Sequence, residues 1–151
     1  MTDIVVVGRI DRPAGEVFAF VCDMAQNPTW QKGQVSCVWT SEPPIAVGST
    51  YDQHARFAGR DIHSSFVVTE FEQGRTIRIA SVDGPMPIDV TRSVVAIGDS
   101  GCEVTAHVRG EPPGLLRLLG PITDWMVRRS VRGDYRRLKA HLEDGPTRAE
   151  G

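Results

Sequence analysis

Apolar and polar residues alternate along most of the first 110 positions of the chain. A period of two is typical of strands that bury one face. Turn-forming clusters rich in glycine, proline and serine separate the alternating stretches, and no helical pattern intervenes after residue 33, so the strands should form an antiparallel meander. The predicted strands are Ile4–Ile10, Gly33–Thr40, Ser49–Phe57, Asp61–Glu72, Thr76–Val82, Met86–Ile97 and Cys102–Arg109.

Two regions instead repeat their apolar residues at helical spacing. Pro13 opens a short helix that carries Val17, Phe18 and Val21, and a second short helix is predicted to stop at Asn27-Pro28. Near the C-terminus a long stripe predicts a helix over Ile122–Leu142, which Gly145-Pro146 should end. We therefore expect one domain over residues 1–144 and a disordered tail over 145–151.

The apolar face of an antiparallel sheet and the apolar side of a single long amphipathic helix can be buried together in one arrangement. The sheet curls around the helix, and the two short helices after the first strand close one end. The sequence thus predicts an α+β fold in which a curved antiparallel sheet wraps a long C-terminal helix. Where the sheet and the helix are held apart, an internal cavity remains.

Short motifs along Ile4–Leu142 support this fold by their order and spacing. The motifs are Arg12-Pro13-Ala14-x-x-Val17-Phe18, Pro28-x-Trp30, Val47-Gly48-Ser49-x-Tyr51, Val68-Thr69-Glu70-Phe71-Glu72-x-Gly74-Arg75 and Gly101-Cys102-Glu103-Val104-Thr105. Together they resemble the START-like (Bet v 1-like) superfamily, in particular its bacterial SRPBCC branch of polyketide cyclase/dehydrase-like proteins. Cys102 stands where that family usually has threonine, and Gly74 where proline is common.

The resemblance implies a helix-grip fold whose cavity holds a hydrophobic small molecule such as a lipid, a polyketide or an isoprenoid. Three functions remain open: a non-enzymatic lipid carrier, an aromatic cyclase or dehydratase, and a toxin-like or stress-linked regulatory interaction protein. A ligand-binding cyclase/dehydrase-like protein ranks first. Few polar residues are expected to point inward, which favours binding over turnover, and fold alone does not decide function.

Composition narrows the class without naming a ligand. The chain has 151 residues, of which 40% are hydrophobic and 24% charged, and its net charge is −2. These values suit one globular domain. Basic residues cluster only along the C-terminal helix, where a solvent-facing side needs them, so nucleic acid is not an expected partner.

Three cysteines without a C-x-x-C spacing argue against a disulfide framework and a structural zinc site, and they suit a reducing compartment. No segment has the length of a membrane span. The amphipathic stretch Gly114–Gly120 is expected to cover the cavity mouth, without stable membrane insertion. We expect a cytoplasmic monomer or homodimer without a cofactor.

Candidate catalytic residues are the polar groups that the alternation turns inward. Matching the last hairpin to the family pattern turns Ser93 and Val95 inward, and Asp89 with them. A buried aspartate has a raised pKa and can serve as an acid or a base. The favoured alternative is that Asp89 lies at the solvent-facing end of its strand or pairs with an arginine. Glu70 and Tyr51 are the other candidates.

The remaining predictions concern the cavity wall and the histidines. His54 and His63 are expected to lie opposite each other on the outward face, where a metal site would lack further ligands. His107 should also point outward. The residues predicted to line the cavity are Tyr51, Gln53, Phe57, Phe66, Val68, Ile79, Val104, Leu119, Ile122 and Met126.

Overall fold

The structure, a computed structural model, describes residues 2–57, 59–84, 87–110 and 120–150. Its elements follow the predicted order of one strand, short helices, six strands and one long helix. They are β1 (Thr2–Ile10), α1 (Ala14–Val21), a 3-10 turn (Met24–Gln26), α2 (Asn27–Trp30), β2 (Gln34–Trp39), β3 (Thr50–Phe57), β4 (Arg60–Glu72), β5 (Thr76–Asp83), β6 (Ile88–Ile97), β7 (Gly101–Gly110) and α3 (Gly120–Glu150).

These strands form one antiparallel sheet in the order β1-β7-β6-β5-β4-β3-β2. Strands β2 to β7 are a meander, and β1 joins its far edge by pairing with β7, with Ile4 opposite Val108. Gly59 and Gly98 turn two of the hairpins at φ values of 78° and 68°. Glycine adopts such angles without steric cost. The predicted antiparallel meander is confirmed.

The inner face of the sheet and one side of α3 enclose the hydrophobic core. Helix α1 contributes Val17, Phe18 and Val21, which lie on one face because they recur at helical spacing. Helix α3 contributes Tyr135, Leu138 and Leu142 from its C-terminal half. The sheet thus curls around α3 while α1 and α2 cover one end, which confirms the predicted α+β helix-grip fold.

Pro28 plays a different part from the one predicted. It lies in the first turn of α2, so the Asn27-Pro28 pair begins this helix and does not stop the preceding one. The first N–H groups of a helix have no partner within it, so a proline there removes no hydrogen bond. Trp30 follows one turn later and is buried.

Helix α3 contains the predicted span Ile122–Leu142 and continues past Gly145-Pro146 to Glu150. A glycine and a proline inside a helix cost about 1 and 3 kcal/mol, which disfavours the helix without forbidding it. In the first turns of α3, Ile122 and Met126 are 55% and 46% exposed. The core therefore rests on the second half of the helix.

Candidate ligand-binding site

Strand β6 carries the feature that sets this interior apart, a buried arginine. Arg92 is 5% exposed and Val94 2%, whereas Val95 is 58% exposed. The inner face of β6 is therefore the one that holds Arg92, and the prediction that Ser93 and Val95 point inward is wrong. Val94 and Val95 are adjacent apolar residues, so alternation alone left both faces possible.

Arg92 holds the two helices against the sheet. Its Nη1 donates to the main-chain oxygen of Val21 at 2.8 Å and to Oδ1 of Asn27 at 3.0 Å. The Sδ atom of Met24 lies 3.4 Å from the same nitrogen. Val21 is the last residue of α1, where the helix dipole favours a positive charge. The guanidinium also lies 4.9 Å from the ring centroid of Trp30, a cation–π contact.

No carboxylate in the described parts of the chain forms an ion pair with Arg92. Its Nε is buried and has no hydrogen-bond partner there, and the same is true of Nε1 of Trp30. A buried donor without an acceptor destabilises a fold by about 1–3 kcal/mol. Such groups are rare and mark candidate functional positions.

Two buried tyrosines and a row of rings surround this charge. Tyr51 is 1% exposed and stacks on Phe66 with ring centroids 5.2 Å apart. Tyr135 meets Trp30 edge to face at 4.9 Å. Burial raises the pKa of both phenols, and the nearby Arg92 charge only partly opposes that rise. Both hydroxyls therefore stay protonated near neutral pH and can donate hydrogen bonds.

Asp134 and Cys37 lie at the border of the same region. Burial raises the pKa of Asp134, although the amide of Lys32 and the guanidinium of Arg137 both bond to its carboxylate. Burial also raises the pKa of the Cys37 thiol to about 11. Cys37 is therefore a neutral, weakly polar group and a poor nucleophile.

Asp89 lies on the outer face of the sheet, so the prediction that it faces the cavity is wrong. Its carboxylate accepts from Nε and Nη2 of Arg78, each at 2.9 Å. Asp89 and Arg92 are three residues apart on one strand, an odd separation that places them on opposite faces. The alternative stated above, that Asp89 pairs with an arginine, is therefore the correct one.

Glu70 was also expected to point inward, with Phe66 and Val68, and it does not. The pairing of β4 with β5 shifts between Val68 and Glu70, which is a β-bulge. A bulge adds one residue to a strand and so exchanges the faces of the residues that follow. Glu70 is turned outward, where it accepts from Nη1 of Arg78 at 2.6 Å.

The residues predicted to line a cavity fall into separate groups. Gln53 is half-buried, and Ile122 and Met126 are exposed at the start of α3. Leu119 and the side chain of Phe57 lie outside the described residues. The others belong to the buried core: Tyr51, Phe66, Val68, Ile79 and Val104.

The histidines occupy the outer face as predicted. His54 pairs with His63 across the β3–β4 hairpin, and their rings stack at 4.3 Å. Nε2 of His54 lies 3.0 Å from Oδ1 of Asp61, whose pKa is lowered by this contact and by Arg56. Within the described residues, no three side chains of the kinds that bind metals form a cluster.

A cleft of about 350 Å³ lies between α1 and the β2–β3 connection, beside Trp39. Nε1 of Trp39 donates to Oδ1 of Asp23 at 2.9 Å. The ring of Trp39 meets Tyr51 edge to face at 5.4 Å. This side chain therefore separates the cleft from the aromatic interior.

Sequence reasoning missed Arg92, Asn27 and Trp30 as members of one site. The signal was present in β6, where Ile88, Val90 and Val94 share a face with Arg92. A charged residue within an otherwise apolar face either lies at the exposed edge of that face or is buried as part of a functional site. Nothing local to the sequence reveals that Asn27 and Trp30 meet it, because more than 60 residues separate them.

The curled sheet, the plugging helices and the interior around Arg92 define a START-like helix-grip protein. The family of polyketide cyclase/dehydrase and lipid transport proteins matches residues 1–143, and the chain belongs to this family. None of the curated proteins compared with the chain matches it. Among the described residues, no helix is both long and apolar enough to cross a membrane.

Solved structures agree on the fold at low sequence identity. A START superfamily protein from Mycobacterium smegmatis is similar with a TM-score of 0.77 and 14% identity, over 95% of this chain and 98% of that one. The Zhui aromatase/cyclase from Streptomyces sp. R1128 is similar with a TM-score of 0.73 and 11% identity, over 93% of each chain. A protein from Deinococcus radiodurans has a TM-score of 0.72 and 17% identity, over 96% and 99%.

Proposed function

We propose that the protein binds a hydrophobic small molecule, such as a lipid, polyketide or isoprenoid, inside the grip and directs one ligand oxygen toward Arg92. The family supports a ligand of this class. The observation that carries the proposal is the buried guanidinium of Arg92, which has an unpartnered Nε and forms no ion pair with a carboxylate of the described chain.

The surroundings of Arg92 suit a ligand that is mostly apolar. The stacked rings of Tyr51 and Phe66 offer a flat apolar wall. A guanidinium donates hydrogen bonds and accepts none, so it selects for an oxygen acceptor. We place the apolar body of the ligand between this wall and the first turns of α3, where Ile122 and Met126 are uncovered.

We favour binding over turnover because the two acids predicted to be catalytic lie elsewhere. Asp89 and Glu70 both bond to Arg78 on the outer face. Tyr51 has a raised pKa and is therefore a hydrogen-bond donor and a poor base. A cyclase or dehydratase reaction is the second candidate, favoured by one feature: a guanidinium in a water-poor interior would stabilise a ligand enolate.

We also propose residues 1–144 as one ligand-binding domain, working as a monomer or homodimer without nucleic acid. Cys22, Cys37 and Cys102 are all free and buried, which supports a reducing compartment such as the cytoplasm. A regulatory role in which the interior is vestigial would leave the unpartnered Arg92 donor unexplained.

Native mass spectrometry of the purified protein tests the proposal directly. A retained lipid or polyketide-like molecule is expected, and Met126→Trp should reduce its occupancy because the indole fills the space beside α3. Val95→Trp is the matched control, since Val95 is exposed on the outer face of β6. Equal occupancy in both variants, with the folds intact, would contradict the proposed position of the ligand.

A further inference from the structure

A second concave surface lies in the seam between strand β1 and helix α3, and it shares only the ring of Tyr135 with the residues placed around Arg92 above. It is a cleft of about 220 Å³. Its floor is apolar and buried, and consists of Val6, Ile10, Val104 and the ring of Tyr135. The function proposed above does not use this groove.

Gly8 makes the groove possible. It sits on the inner face of β1 between Val6 and Ile10, opposite Val104 on β7. A Cβ atom built at Gly8 would meet nothing within 4 Å. A glycine inside a strand weakens it, and often marks a site where a ligand approaches the backbone. The strand therefore lacks a core side chain at the inner position between Val6 and Ile10, both of which floor the groove.

The rim of the groove is positively charged. Arg132 and Arg136 stand one helical turn apart on α3, and Arg9 and Lys139 complete the rim. Within the described chain, no carboxylate pairs with Arg132 or Arg136. Lys139 is already held by Glu143 at 2.6 Å. The two unpaired guanidinium groups are therefore the ones available to an anion.

The backbone of β1 adds polar groups to the same seam. Arg128 donates to the carbonyl oxygen of Val5 at 3.3 Å, and Lys139 donates to that of Arg9 at 3.1 Å. Residues on this edge alternate, so the N–H and C=O groups of Val7 face α3 between these two contacts. Val7 lines the groove, so its N–H is a further donor toward an anion.

We propose that this groove binds a medium-chain fatty acid as its carboxylate, with the chain on the floor above Gly8 and the head group at Arg132 and Arg136. The volume equals that of about seven water molecules at roughly 30 Å³ each. It therefore suits a single short alkyl chain. Guanidinium groups bind carboxylates in paired hydrogen bonds.

Titration of octanoate into the purified protein, followed by calorimetry and by amide NMR, tests this inference. Octanoate should bind and shift the amide signals of Val7 and Gly8, whereas neutral 1-octanol should bind at least about tenfold more weakly. Failure of octanoate to bind, or equal binding of both compounds, would overturn the inference.

Variants locate the site. Gly8→Val should block octanoate without unfolding the strand, because the space is empty and valine favours strands. The double change Arg132→Gln and Arg136→Gln should weaken octanoate at least about tenfold. Arg129→Gln is the control for the loss of helix charge, since it removes one positive charge from the same helix at a residue outside the groove, stacked on Trp125. Unchanged octanoate affinity in the groove variants would overturn the inference.

Arg92→Met separates this site from the interior one. Octanoate bound in the groove should keep its affinity in that variant. Loss of octanoate binding in Arg92→Met, with no loss in the groove variants, would place octanoate in the interior and overturn the groove. That outcome would still support the function proposed above. The groove proposal would also be overturned if anionic vesicles bound through Arg132 and Arg136 while octanoate did not bind.

Discussion

Nη1 of Arg92 lies 2.8 Å from the main-chain oxygen of Val21, so one side chain of strand β6 is tied to the last residue of helix α1. The charge is buried, and a buried ion is costly unless nearby dipoles or charges offset it. Here the carbonyl end of α1, the amide oxygen of Asn27 and the ring of Trp30 do so. The same contact joins the helices to the sheet and places an unpartnered donor in the interior.

The first prediction concerns stability. Arg92→Ala leaves the oxygens of Val21 and Asn27 without a donor and opens a cavity, so unfolding free energy should fall by about 3 kcal/mol or more. Arg92→Met fills the volume and removes the cost of burying a charge, so its loss should be smaller. Urea unfolding measures both. An Arg92→Ala variant as stable as the parent, or an equal loss of unfolding free energy in Arg92→Ala and Arg92→Met, would contradict this role of Arg92.

The second prediction concerns the acids on the outer face. Asp89→Asn and Glu70→Gln should each leave ligand affinity within about twofold of the parent, because both residues bond to Arg78 away from the interior. Tyr51→Phe, which removes a hydroxyl from the interior, serves as the comparison. Ligand titration measures these affinities. A fall in ligand affinity of about tenfold or more in Asp89→Asn would show that Asp89 belongs to the binding site.

The third prediction concerns thiol reactivity. Burial raises the pKa of Cys22 and Cys37 from 9.0 to about 11, and it also raises that of Cys102. Few thiolates are therefore present at pH 8, and a disulfide reagent should label the native protein slowly and the urea-unfolded protein fast. Rapid labelling of the native protein at pH 8 would show that the thiols are not buried.

The same thiols make stability depend on pH in a defined direction. Their pKa is higher in the folded protein, so the unfolded chain loses these protons first. Their contribution is complete below about pH 9 and is lost as the pH rises from 9 toward about 11. Unfolding midpoints in urea should therefore fall over this range. Replacing Cys22 and Cys37 by alanine should flatten the decline, and an unchanged slope would contradict the assignment.

The sequence predicts the fold well because the evidence for each element is local. Alternation over Ile4–Ile10 and the helical stripe over Ile122–Leu142 report which side of each element is buried, and only one arrangement covers both. The inner positions of β3 and β4 follow for the same reason, and Tyr51 and Phe66 are buried as alternation indicates.

The site was less predictable because it depends on single-residue shifts. At Val94 and Val95 two adjacent apolar residues leave the face of β6 undecided, and the wrong choice turns Asp89 inward and Arg92 outward. A bulge after Val68 turns the side chain of Glu70 to the outer face, and no residue in that stretch of the sequence indicates the bulge. Pairing with neighbouring strands decides both the inner face of β6 and the orientation of Glu70, so neither can be predicted from the sequence of one strand alone.

The most direct test of the central claim compares two ligands that differ by one oxygen, 2-naphthol and naphthalene, in the parent protein and in Arg92→Met. The parent should prefer 2-naphthol by about tenfold, since a hydrogen bond to a buried charged donor is worth about that much. Arg92→Met should lose the preference while retaining naphthalene. A preference that is the same in both proteins would show that Arg92 does not meet the ligand.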